Sequence, residues 1–261
     1  RTNFNQKLPI LVLVIMKNLF ILALITCIST SILAQEPKKD SGLETYEDFY
    51  DQDHKLPFSK GQFLYGKKHG EWIYYYRNGN KQEVSHYTRG LLNGKVTYWF
   101  DNGQKNSEGY FKIFFQDGKY FSMRDSTYKE WYANGNLSQK GQYTYDVRDG
   151  KWEFYFPEGD PWKMVVYEKG LAKPIKAWNK ELEQTLVDAN GVLYNYHEEG
   201  PVESKITIVD SAANGQAKYF TKEGNIKSQG NLKNWITDGK WEYFYDSGAK
   251  LKEVNYKDGM L

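Results

Sequence analysis

From residue 61 onward the chain alternates between runs of strand-forming residues, rich in aromatics, and short polar breaks that end on glycine. Gly70-Glu-Trp-Ile-Tyr-Tyr-Tyr-Arg-Asn-Gly79 is one such run. Gly150-Lys-Trp-Glu-Phe-Tyr-Phe-Pro-Glu-Gly159 and Gly239-Lys-Trp-Glu-Tyr-Phe-Tyr-Asp-Ser-Gly248 are two more. Short aromatic and β-branched runs bounded by Gly, Asn and Asp predict strands. Asn78-Gly79, Asn102-Gly103 and Asn134-Gly135 predict hairpin turns, with Glu-Gly or Ser-Gly at 158–159, 199–200, 223–224 and 247–248 in the same place. The closing glycine supplies the positive φ that such a turn needs. The next run, such as Lys81–Tyr87 or Leu251–Tyr256, is the return strand. Each unit is a β-hairpin.

Seven units share one frame, with onsets at 70, 94, 126, 150, 191, 215 and 239 and turn glycines Gly79, Gly103, Gly135, Gly159, Gly200, Gly224 and Gly248. The basic step is 24 residues, with insertions of 8 and 17. Five residues after every onset stands an aromatic: Tyr75, Trp99, Trp131, Tyr155, Tyr196, Phe220 and Phe244. Because side chains alternate along a strand, positions two, four and six after the onset share the other face, as in Trp72-Tyr74-Tyr76, Trp152-Phe154-Phe156 and Trp241-Tyr243-Tyr245. The predicted repeat core is therefore Trp72, Tyr75, Trp99, Trp131, Trp152, Tyr155, Tyr196, Phe220, Trp241 and Phe244. The rings after onset by two, four and six are expected to pack as core rather than to form an exposed platform; those at onset plus five share their face with charges and are left open. Gly109 and Gly118 also lie nine apart, but Gly109 matches the return strand. Lys176–Val187 fills the longer insertion as an irregular hairpin or a short helix. An isolated hairpin is barely stable in water, so the units must pair edge to edge. The expected fold is all-β: an elongated single antiparallel sheet of stacked hairpins over residues 61–261.

Composition narrows the picture further. The 22 Tyr, 14 Phe and 8 Trp make 17% of the chain, which argues against disorder, and a mean hydropathy of −0.75 excludes a polytopic membrane protein. The N-terminal part is different. Residues 1–15 precede Met16 and read as upstream read-through. Lys17, the apolar stretch Leu19–Cys27 and Ala34 have the parts of a secretory signal over 16–34, cleaved before Gln35. The 16 residues of Leu19–Ala34 are short for a spanning helix. Residues 35–60 read as a flexible acidic linker. Without Arg1, Lys7 and Lys17, 32 basic side chains face 33 acidic ones, which argues against nucleic acid as a partner. Cys27 is the single cysteine, and His54, His69, His86 and His197 fall at different repeat positions, so no metal or cofactor site is expected.

Tyr65-Gly-Lys-Lys-His-Gly-Glu-Trp-Ile-Tyr-Tyr-Tyr-Arg-Asn-Gly79 and Tyr145-Asp-Val-Arg-Asp-Gly-Lys-Trp-Glu-Phe-Tyr-Phe-Pro-Glu-Gly159 resemble MORN repeats of the variant kind, often labelled YwqK-family antitoxins. The resemblance covers roughly residues 61–261. It implies a sheet of stacked hairpins and an adaptor or scaffold role, with lipid binding proposed for some members. Leu193 and Ala217 depart from it, standing where Trp is typical. No nucleophile elbow, Walker loop or dinucleotide fingerprint is present, and no carboxylate pair stands out from its repeat equivalents, so no catalytic residue is expected. The expected function is an exported, non-enzymatic scaffold that binds an unidentified protein partner at the cell envelope. A carbohydrate- or lipid-binding module using exposed rings is the first alternative, with a glycan or membrane surface as ligand. An antitoxin-like partner of a toxin is the second.

Overall fold

The computed structural model describes residues 42–198 and 200–260. The expected read-through at 1–15 and signal segment at 16–34 lie outside the described residues.

Among the described residues, nineteen strands form one antiparallel sheet. They are β1 (Leu43–Phe49), β2 (Pro57–Leu64), β3 (Lys67–Tyr75), β4 (Lys81–Thr88), β5 (Leu91–Leu92), β6 (Gly94–Trp99), β7 (Lys105–Gln116), β8 (Lys119–Trp131), β9 (Leu137–Thr144) and β10 (Val147–Tyr155). Then follow β11 (Pro161–Glu168), β12 (Leu171–Trp178), β13 (Gln184–Val187), β14 (Asn190–Tyr196), β15 (Val202–Val209), β16 (Ala212–Phe220), β17 (Ile226–Lys233), β18 (Ile236–Phe244) and β19 (Lys250–Tyr256). Each strand pairs with its neighbour in sequence, β4 pairing with both β5 and β6, so the sheet is a continuous meander. The pairing continues in the same way from β9 to β19. No helix occurs among the described residues.

Two kinds of turn alternate. Within a unit, Gly79 N–H donates to Tyr76 O at 2.9 Å and Tyr76 N–H to Asn80 O at 2.8 Å, a three-residue loop with Gly79 at φ +85°. The expected turn glycines all have positive φ, from +83° to +104°. Between units the chain reverses in two residues that both have positive φ. Arg89-Gly90, Asp117-Gly118 and Asp210-Ser211 are examples. This twist matches that of the strands it joins. Asp117-Gly118 thus ends the long β7–β8 hairpin made by the eight-residue insertion, which explains the stray nine-residue spacing from Gly109.

Two further units lie outside the seven-fold frame. Residues 35–60 were expected as a flexible linker, yet β1 occupies Leu43–Phe49 and pairs along β2. Tyr46 takes the Trp position of this first unit, 5.6 Å from the Trp72 ring, and Tyr50 N–H closes a longer loop on Leu56 O at 2.8 Å. Of the strand's acids only Glu47 is exposed, while Glu44 and Asp48 are half-buried: pairing along β2, not net polarity, decides the structure here. The 17-residue insertion is the other unit. Asn179 N–H donates to Glu183 O at 3.0 Å and Leu182 N–H to Asn179 O at 3.1 Å, the same loop as at Tyr76–Asn80, so the insertion is a hairpin and not a helix.

The onset residue has its own role. Gly70, Gly150 and Gly239 have φ of +68°, +63° and +69°, and the pairing with the preceding strand shifts register beside each. Each is a β-bulge. The bulge lets the Trp two residues later lie flat across the preceding strand. Trp72, Trp152 and Trp241 cover Gly61, Gly141 and Gly230, where an added Cβ would come within 2.3, 2.3 and 2.5 Å of the ring. Their indole N–H groups donate to Gln62 O, Gln142 O and Asn231 O at 3.0, 3.1 and 2.9 Å. Only 1%, 0% and 3% of each Trp remains exposed, in a sheet one layer deep.

The departures at Leu193 and Ala217 follow from the same packing. Ile206 stands where the covered glycine would be and pairs with Ala217, so a large residue below meets a small one above. Leu186, Leu193, Ile206, Ile208, Ala213, Ala217 and Leu232 form a buried aliphatic cluster that runs to Trp241.

Candidate interaction surfaces

Of the predicted core, Trp72, Trp152 and Trp241 are buried, whereas Tyr75, Trp99, Trp131, Tyr155, Tyr196, Phe220 and Phe244 are half-buried on the opposite face. The ten residues thus divide between two surfaces with different chemistry.

On the half-buried face a lysine lies over most of the rings. Lys60 Nζ is 5.9 Å from the Tyr75 ring centre, Lys105 5.4 Å from Trp131, Lys140 5.7 Å from Tyr155, Lys180 5.3 Å from Tyr196 and Lys205 5.9 Å from Phe220. These are cation–π distances. Acids link the lysines. Glu108 pairs with Lys95 and Lys105 at 2.8 and 3.1 Å, Glu153 with Lys140 and Lys151 at 2.6 Å each, and Glu242 with Lys250 at 2.8 Å. Burial pushes the Glu153 carboxyl up, but hydrogen bonds from Lys140, Lys151 and Tyr155 outweigh it and bring the pKa down to about 2. Glu242 reaches about 2 through hydrogen bonds from Lys250 and Gln229. A shallow, open depression of about 340 Å³ beside Glu242 is lined by Gln216, Gln229, Gly230, Asn231 and Lys240.

The tryptophan face holds a half-buried polar network around the onsets at 70, 126 and 150. Tyr128 Oη–H donates to Glu130 at 3.0 Å, as does Gln139 Nε2 at 2.6 Å, and Gln139 Oε1 accepts from Arg148 Nη2 at 2.7 Å. Arg148 lies 4.2 Å over Trp152 and donates to Tyr167 Oη at 3.1 Å. Near the first repeat, Lys68 lies 4.5 Å over Trp72 and donates to Tyr74 Oη. There burial pushes the Glu83 carboxyl up and the Lys68 ammonium down, while each charge partly offsets the shift of the other. Burial also raises Tyr74, Tyr98 and Tyr128. This face therefore carries its charges among rings rather than in water.

Successive units are clipped together along the loop edge. Tyr50, Tyr76 and Tyr132 donate through Oη to the backbone oxygens of Tyr75, Trp99 and Tyr155 in the next unit, each at 2.8 Å. Asn78 and Asn134 accept from the N–H two residues on and donate to Asp101 O and Pro157 O at 2.7 and 2.8 Å.

A family model for the MORN repeat variant matches residues 68–88, 92–112, 124–145, 148–169, 213–234 and 237–258. The chain is a MORN-repeat protein. Its matched stretches coincide with the hairpins of β3–β4, β6–β7, β8–β9, β10–β11, β16–β17 and β18–β19, while the hairpins of β12–β13 and β14–β15 fall between them. No curated protein sequence matches the chain. Two similar solved structures are a TcdB2–TccC3–Cdc42 crystal structure and a Photorhabdus luminescens Tc holotoxin pore, both 9% identical over 82% of this MORN protein and with TM-scores of 0.25 and 0.22. The chain spans 11% of the length of each, and scores this low do not establish a shared fold.

Sequence reasoning left out the covered glycines and the face cations. Gly61-Gln62, Gly141-Gln142 and Gly230-Asn231 recur nine residues before an onset, a signal as regular as the turn glycines. The cations Lys68 and Arg148 stand two residues before an onset. Of the histidines, His86 lies 3.7 Å from Glu71, His54 stacks on Phe49 and His197 bonds Phe220 O, at separate places on the sheet. Among the described residues, no group of three or more His, Cys, Asp or Glu could hold a metal ion, and no helix is long and apolar enough to cross a membrane.

Proposed function

We propose that this MORN array is an exported, non-enzymatic scaffold that binds another protein at the cell envelope. MORN repeats are in general interaction modules for proteins and membranes. The observation that carries the protein reading is the ring-and-lysine face. The full set of ring, capping lysine and bridging acid stands at Trp131 with Lys105 and Glu108 and at Tyr155 with Lys140 and Glu153, and a lysine also caps Tyr75 and Phe220. Aromatic rings beside a polar, charged rim are the composition of protein interfaces. The lysine heads cover the ring faces that a sugar or an acyl chain would stack on, which weighs against the platform reading. The sequence of residues 16–34 supports export.

Two measurements test this. Fractionation followed by N-terminal sequencing is expected to return a mature chain beginning near Gln35 outside the cytoplasm; a chain retaining Met16 or Arg1 in the cytoplasm would defeat the export reading. A photo-crosslinking side chain at Lys218, on the ring-and-lysine face, is expected to give discrete protein adducts in envelope preparations. Adducts confined to lipid or glycan would overturn the protein reading.

A further inference from the structure

Lys163 and Arg148 sit on the tryptophan face on either side of one repeat. Lys163 Nζ lies 3.9 Å over the Trp162 ring and 5.4 Å from the Phe154 centre, and Arg148 Cζ lies 5.3 Å from the same Phe154 ring. Lys163 donates to Asn195 Oδ1 at 3.0 Å, and Asn195 donates in turn to Ser204 Oγ at 3.1 Å. Arg148 is held by Gln139 and Tyr167. Every one of these partners is neutral. Among the described residues, no carboxylate is paired with either cation. Glu203 acts on Lys163 without an ion pair, and Glu130 reaches Arg148 only through Gln139. Two half-buried positive charges that share a ring and face no anion are costly to hold, since such charges are ordinarily paired. Elsewhere in the chain lysines pair freely, as Glu108, Glu153 and Glu242 show.

We propose that this site, Arg148–Phe154–Lys163, binds a carboxylate side chain of an acidic peptide segment in the partner protein. The proposal rests on the scaffold reading and adds to it the chemistry of the bound segment. The surroundings favour a peptide over a charged membrane surface. Residues 36–261 are nearly neutral, so the array offers little of the broad positive potential that draws a protein to anionic lipid. Next to the two cations stand the amides of Gln139 and Asn195, which suit peptide groups. The half-buried ring of Trp162, stacked on the buried Phe156 at 5.9 Å, would flank a neighbouring side chain of such a segment. Burial and then Arg148 hold the Lys163 pKa at about 8, with Glu203 opposing. A bound carboxylate favours the ammonium form and would raise that value.

The test uses the mature chain with hexaglutamate as probe, and with hexalysine, inorganic phosphate and phosphatidylglycerol vesicles beside it. Calorimetry measures affinity, and NMR of the ¹³C-dimethylated lysines follows the Lys163 titration. Hexaglutamate is expected to bind and to move the Lys163 midpoint upward. Lys163→Met should weaken binding at least tenfold, and Lys240→Met, beside Glu242 on the other face, should leave it unchanged. Arg148→Met should act like Lys163→Met; if it unfolds the chain, Lys163→Met alone decides. Unchanged binding in Lys163→Met overturns the proposal. So does a midpoint that moves only with phosphate or only with vesicles, which would assign the site to a free anion or a lipid headgroup. If hexaglutamate fails while envelope cross-links at Lys218 persist, this site falls and the scaffold reading stands. If hexaglutamate binds through Lys163 while those cross-links go only to lipid or glycan, the reverse holds.

Discussion

At the scale of single residues, the Trp–Gly contact is the central interaction of this fold. Adding a methyl group at Gly141 pushes against the Trp152 ring, so Gly141→Ala is expected to destabilise by about 1–3 kcal/mol through overpacking. Trp152→Ala and Trp241→Ala each remove a buried ring and are expected to cost about 3–5 kcal/mol. In the Trp152→Ala background the extra methyl of Gly141→Ala has room, so the two changes are expected to be non-additive in urea unfolding. Strict additivity would mean that the ring does not rest on the glycine. A second residue-scale prediction concerns Ser126. It occupies an onset position with φ +103°, where the other six onsets are glycine. An L side chain is strained there, so Ser126→Gly is expected to raise stability by about 1 kcal/mol, seen as a higher urea midpoint at constant slope.

Among elements, the loops and the first strand matter most. Asn134 ties its own loop and reaches Pro157 O in the next unit, so Asn134→Ala is expected to cost about 0.5–1.5 kcal/mol. Asn→Ala at a loop with no such reach should cost less. The first strand reverses an expectation drawn from composition alone. A linker could be removed without effect, but β1 covers β2, and Tyr46 packs on both Phe63 and Trp72 at 5.2 and 5.6 Å. Deleting residues 36–57 is therefore expected to lower the melting temperature and to leave β2 as a raw edge that promotes aggregation. Melting and light scattering of the truncated chain check this, and an unchanged melt would return the segment to the status of a tether.

For the whole molecule, stability is shared between neighbours. Each hairpin buries its rings against the strand before it, so truncation after Gly215 is expected to lower both stability and solubility by exposing the unit that starts at 191. A truncated array melting like the full chain would mean that stacking between units does not hold the fold. Acid acts on the whole ring-and-lysine face at once. Glu153 and Glu242 have folded values near 2, below their ordinary value of 4.5, so their contribution is present above pH 4.5 and is lost as pH falls toward 2. The melting temperature is expected to drop across that window, and Glu153→Gln should flatten part of the drop. The effect is modest because these pairs are largely solvated.

Much of this architecture was legible in the sequence because its information is local. Alternation, the turn glycines and the 24-residue step are properties of neighbouring residues, and they determined strand, hairpin and repeat before any contact was known. Gly79 or Trp72 could be read this way. Tyr46, Asn179 and Leu182 could not, because their units keep the backbone pattern while losing the residues that usually mark it. The tertiary structure alone decided which rings are buried. Tyr75 and Trp72 are both aromatic and three residues apart, but one meets a lysine head and the other the bare backbone of Gly61, a strand away. The cations Arg148 and Lys163, held by neutral partners and paired with no carboxylate, belong to the same class, since a charge is paired or unpaired only once distant strands have brought its neighbours into place.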